Sequence, residues 1–76
     1  MTLAQLSIGG RAVIRNIDGS DETSTRLWEM GLTPGSEIAL LGRAPLGDPL
    51  EFEIRGYRLS LRRSEAARVE VEISNM

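Results

Sequence analysis

Arg26-Leu-Trp-Glu-Met-Gly-Leu-Thr-Pro-Gly35 is the stretch on which the fold turns. Leu27 and Met30 are spaced i, i+3 and share one face of a helix. Gly31 follows directly, the residue best suited to the left-handed position just past a helix end. Leu32 is placed to fold back on the last helical turn, as in a Schellman ending. Thr33-Pro34-Gly35 has the order of a type II turn, with proline setting one φ and glycine supplying a positive one. An alternating run begins at Ser36. The stretch therefore predicts a short helix held at a fixed angle to a sheet.

Upstream, Ser20 and Asp21 both suit the N-cap of that helix, and Asp21 and Glu22 put negative charge at its positive end. The predicted helix is Asp21 to Met30. Trp28 falls off the Leu27/Met30 stripe, which leaves it partly exposed or against a neighbouring strand. Before Asp18-Gly19, a turn signal, Arg11 to Ile17 is β-branched enough for a strand through Val13, Ile14 and Ile17. Its alternation is imperfect and leaves the inward face open. Ile8-Gly9-Gly10 is a loop, and Met1 to Ser7 is a lead-in whose Leu3 and Leu6 can tuck against a core.

Downstream, Ser36 to Arg43 alternates Ile38 and Leu40 against Glu37 and Ala39. Ala44 to Pro49 is a loop with two prolines and a Gly-Asp pair. Leu50 to Arg55 is the cleanest strand: Leu50, Phe52 and Ile54 point one way, Glu51, Glu53 and Arg55 the other. Gly56-Tyr57 interrupts as a tight turn or bulge. Arg58 to Arg62 alternates again through Leu59 and Leu61. Ser64 to Ala67 is a short capped helical turn, and Val69, Val71 and Ile73 form a last strand. Asn75 and Met76 are expected to fray. Five short strands with one apolar face each must bury that face. The expected solution is a mainly β fold, a small, strongly bent barrel with the helix over one open end, forming a single domain over residues 1–76.

Composition narrows the chemistry. The chain has 76 residues, no Cys and no His, with 11 acids and nine bases, every base an Arg, for a net charge of −2. A chain of this length buries about 60–65% of its unfolded surface, so it stands on packing and backbone hydrogen bonds. Without His or Cys it lacks the commonest general base, nucleophile and metal ligands. A mildly acidic total argues against a nucleic-acid binder. No apolar run approaches the ~20 residues that span a bilayer, and the start lacks a secretory pattern, so a cytoplasmic location is expected. The glycine pairs have no phosphate-loop context.

Three blocks in order, RLWEMGLTPG (Arg26–Gly35), APLGDPLEF (Ala44–Phe52) and RGYRLSLRRSEAARVEV (Arg55–Val71), resemble the FeoA family, the small partner of the bacterial ferrous-iron permease FeoB. The resemblance implies an SH3-like β-barrel. It also implies a role in Fe(II) uptake through contact with the GTPase-bearing permease, reaching the membrane only through that partner. The same fold is found at the C-terminus of some metal-dependent repressors; the absence of a DNA-binding region ahead of it favours a stand-alone accessory protein.

Four residues are the candidate partner contacts: Trp28, Leu46 in the proline loop, Tyr57 and Arg58. Trp and Tyr are favoured at interface centres. Three aromatics in all, with Phe52 reading as core, are too few for a polyproline groove. Glu51 and Glu53, two apart on one strand face, are the candidate carboxylates for a divalent transition metal such as Fe(II). The same spacing describes a solvated face with cross-strand Glu–Arg pairs, and that is the preferred reading. Arg55, Arg58, Arg62, Arg63 and Arg68 form a basic cluster in sequence, interleaved with acids. The expected function is non-enzymatic modulation of the permease, with no required cofactor and the oligomeric state open. The alternative is a metal-responsive regulatory module that binds a divalent ion through carboxylates.

Overall fold

A computed structural model of the chain describes residues 1–74; Asn75 and Met76, expected to fray, lie outside the described residues. A 3₁₀ turn, Leu3–Gln5, is followed by β1 (Arg11–Ile17), α1 (Glu22–Glu29), β2 (Glu37–Arg43), β3 (Leu50–Ile54), β4 (Tyr57–Leu61), α2 (Arg63–Ala66) and β5 (Val69–Ile73). The strands form one antiparallel sheet in the order β4-β3-β2-β1-β5.

The expected barrel does not close. The outer strands β4 and β5 are not paired with each other, and the sheet keeps two edges. The reason lies in the connection between them. The chain leaves β4 through α2, not through a hairpin, and the 3₁₀ turn packs against both α2 and β5. The apolar face is therefore covered by Leu3, Leu6, Leu27, Leu32 and Ala66, from the helical segments and the α1–β2 turn, all at most 1% exposed.

β3 alternates as read: Leu50, Phe52 and Ile54 are buried and Glu51 and Glu53 exposed. In β1 the inward residues are Ala12, Ile14 and Ile17, and a bulge between Ile14 and Asn16 shifts the phase. The extra residue explains the broken alternation of the sequence. A second bulge, between Leu40 and Gly42, shifts the phase of β2 beyond Leu40, and Leu41 is exposed. Ile73, expected to share the inward face with Val69 and Val71, is exposed at the sheet's end. Leu3 and Leu6 are both buried, and the segment between them closes as the 3₁₀ turn.

Candidate docking surface

The helix α1 starts and stops where its chemistry directs. Asp21 is the N-cap; its Oδ1 accepts from the Ser24 N–H at 3.1 Å. At the other end the Leu32 N–H donates to the Leu27 carbonyl at 3.2 Å and the Gly31 N–H to the Trp28 carbonyl at 3.0 Å. This pair of bonds is the Schellman ending, with Gly31 at φ +100. The Ser36 N–H then reaches the Thr33 carbonyl at 3.1 Å, with Gly35 at φ +90, closing the expected turn.

The β3–β4 hairpin is tied to this helix end. Ile54 pairs Tyr57 across a two-residue turn, Arg55-Gly56, in which both φ values are positive, +51 and +82. Two such residues make the turn that suits a tight hairpin. The Tyr57 hydroxyl donates to the Met30 carbonyl, one of the acceptors left open at the helix C-terminus. The Arg55 guanidinium donates to the hydroxyls of Ser36 at 2.8 Å and Thr33 at 3.1 Å. The stretch from Arg26 to Gly35 and the β3–β4 turn therefore form one corner of the molecule.

The predicted contacts divide. Trp28 and Tyr57 are both brought to this corner, 42% and 43% exposed; Arg58, next in β4, points to the opposite, outer face across from Glu53. Leu46 is 98% exposed but stands apart, in the β2–β3 loop at the other end of that hairpin. That loop is pinned by the Arg63 N–H to Asp48 Oδ1 at 2.8 Å and by the Arg63 guanidinium to the Gly47 carbonyl at 3.2 Å. Tyr57 proves to be a structural residue as well as an exposed one. Sequence reading placed the turn at Gly56-Tyr57 and Arg55 in the strand, one residue late, and so missed the bridging role of Arg55, whose partners lie 19 and 22 residues away.

Glu51 and Glu53 sit exposed on the outer face of β3, opposite Ser60 and Arg58. Among the described residues no three carboxylates come together. The basic cluster is dispersed by the fold. Arg55 and Arg63 turn to the partners above, and Arg68 grips Asp21 through both carboxylate oxygens, at 2.7 and 3.1 Å. The bond from Arg68, aided by the Ser24 N–H, holds the Asp21 carboxyl well below the usual carboxylate range. Arg26 pairs with Glu65, which joins α1 to α2. No helix among the described residues is long and apolar enough to cross a membrane.

These features define an all-antiparallel domain of five short strands and two short helices, with two exposed aromatics near the end of α1. The FeoA domain model matches residues 1–73, and the chain belongs to the FeoA family. It is 41% identical over 73 residues to the Fe(2+) transport protein A/Fe(2+) transporter FeoB fusion protein of Porphyromonas gingivalis, covering 96% of this chain and 9% of the fusion. The chain thus spans about a tenth of that curated relative's length. Among solved structures, the FeoA-like protein of Clostridium acetobutylicum superposes with a TM-score of 0.92 at 34% identity, covering 100% of this chain and 88% of that one. The FeoA of Stenotrophomonas maltophilia, solved complexed with zinc and described as a procaryotic SH3 domain protein, gives 0.83 at 34% identity, over 95% and 89% of the two chains.

Proposed function

We propose that this chain is a non-enzymatic accessory domain that docks on the cytoplasmic part of a FeoB-type ferrous-iron permease and modulates Fe(II) uptake. The observation that carries the reading is the relative in which the FeoA and FeoB parts share one polypeptide. Covalent fusion holds two domains at high effective concentration, the arrangement expected of parts that work in contact. The corner of Trp28 and Tyr57 is the docking surface in this reading, two exposed aromatics on elements held together by Arg55 and Tyr57, with Arg58 a further contact on the opposite, outer face of β4. Leu46 offers a separate apolar contact at the far end of the β2–β3 hairpin.

The experiment is capture of the permease's cytoplasmic domain by the purified chain, with and without guanine nucleotide. Retention that falls about tenfold or more in Trp28→Ala supports the reading, the size expected of one interface-centre aromatic. No retention in any nucleotide state overturns it.

A second reading is favoured by the zinc-bound relative. In it the domain responds to a divalent transition metal held by the exposed carboxylates Glu51 and Glu53. Calorimetric titration with Fe(II), Mn(II) and Zn(II) decides between the two. A stoichiometric heat that disappears in the Glu51→Gln/Glu53→Gln variant supports the metal reading; a heat that survives it removes these two residues from any site.

A further inference from the structure

The open sheet has two edges, and they are treated differently. Along β5 the Val71 N–H donates to the Met1 carbonyl at 2.9 Å, and Thr2 bridges Glu70, so the lead-in covers part of that edge. No such cover lies along β4 among the described residues. The pair Ile54–Tyr57 flanks the two-residue turn and is therefore a hydrogen-bonded pair. Alternation then directs the backbone groups of Leu59 and Leu61 toward β3 and those of Arg58 and Ser60 outward. Two N–H and two C=O groups line the edge, and a bare edge of this kind is a template for a further strand.

The charge on the edge selects the strand. Of the nine arginines, Arg11, Arg15, Arg26 and Arg68 are paired with Glu37, Glu72, Glu65 and Asp21. Arg43, Arg55 and Arg63 donate to oxygens of Leu6, of Thr33 and Ser36, and of Gly47. Arg58 and Arg62 alone have neither an ion pair nor a guanidinium hydrogen bond among the described residues; Arg58 lies in β4, and Arg62 directly follows the strand as the N-cap of α2, its N–H donating to Glu65 Oε1 at 2.9 Å. Ser60 lies between them on the same face, so the two guanidinium groups stem from points about 13 Å apart. Glu53 lies across β3 from Arg58 without closing an ion pair, which leaves the outer flank of Arg58 open. A second copy of β4 added antiparallel about Ser60 would set Arg58 against Arg62, and like charges directly opposite oppose pairing.

We propose that the free edge of β4 receives an extended acidic segment of a partner protein by strand addition. Backbone bonds to Arg58 and Ser60 would hold the segment, and carboxylates four residues apart would face Arg58 and Arg62. This rests on the reading of this side of the molecule as a docking surface, and supplies the partner's chemistry and mode of binding.

The test is titration of the isotope-labelled chain with the peptide Thr-Glu-Val-Thr-Val-Glu-Thr, read by amide shifts and hydrogen exchange. Slowed exchange at the Arg58 and Ser60 amides is expected. Binding should weaken about tenfold or more in Arg58→Glu/Arg62→Glu, and that variant should prefer the peptide with Lys in place of Glu. Ser60→Pro removes an edge N–H that no ladder bond uses, so it should keep the fold and lose the peptide. Absence of protection at these two amides at saturating peptide, equal binding of the Lys peptide by the native chain, or dimerisation through β4 in sedimentation each overturns the proposal. The assay contains no permease, so a failed permease capture and a failed peptide titration are separate results.

Discussion

Gly31 concentrates the geometry of the helix end in one torsion. At φ +100 a side chain is strained, and a Cβ there would lie 2.4 Å from the Tyr57 hydroxyl oxygen. Gly31→Ala should therefore destabilise the domain by about 1–2 kcal/mol or more, measured by urea denaturation. It should also free the Tyr57 hydroxyl from the Met30 carbonyl. Asp21 is the second residue whose role is checkable alone. Its carboxyl is held low by the Arg68 guanidinium and by the Ser24 N–H, so the folded state favours the charged form. The stabilisation is fully present above the ordinary aspartate pKa of about 4 and is lost as pH falls below it. The urea midpoint of the native chain should drop through that acid window. The Asp21→Asn variant should show a smaller drop, and high salt should shrink the difference, because the pair is exposed.

The elements are joined by side chains that span long stretches of sequence. Arg55 and Tyr57 fasten the β3–β4 hairpin to the α1 end, and Arg68 fastens the start of β5 to the α1 start. Arg55→Ala should cost about 1 kcal/mol in denaturation, the net worth of a lost hydrogen-bond pair, and broaden the signal of Trp28. Element boundaries were legible in the sequence because their causes are local. The predicted helix Asp21 to Met30 encloses Glu22–Glu29 with its two caps, and Val69 to Ile73 matches β5. The inward face of β1 was not legible, because the bulge at Ile14/Asn16 is set by pairing with β5, more than 50 residues away.

For the whole molecule, stability rests on a thin core around Phe52. A 76-residue chain has about 4–11 kcal/mol in total, and Phe52→Ala removes about 3–5 of it. That variant should be partly unfolded at 25 °C by circular dichroism, and the Trp28→Ala variant should not, since Trp28 is half out of the core. Of the candidate contacts, Trp28, Tyr57 and Arg58 were identifiable as exposed residues, but the meeting of Trp28 and Tyr57 at one corner and the exclusion of Leu46 from it were not. Both depend on which ends of β2, β3 and β4 meet the helix.

The chain's own order of residues determined the five strands, the capped helix, the Gly31 ending and the family to which they belong. These follow from periodicity, capping and turn chemistry, which act over a few neighbours. The tertiary structure alone decided that the sheet stays open, that seven of the nine arginines turn to separate partners, and that Arg58 in the bare edge strand and Arg62 just after it are left without one among the described residues. Pairing across long separations sets these features. Alternation alone does not say which strands become edges, or which charges find each other first.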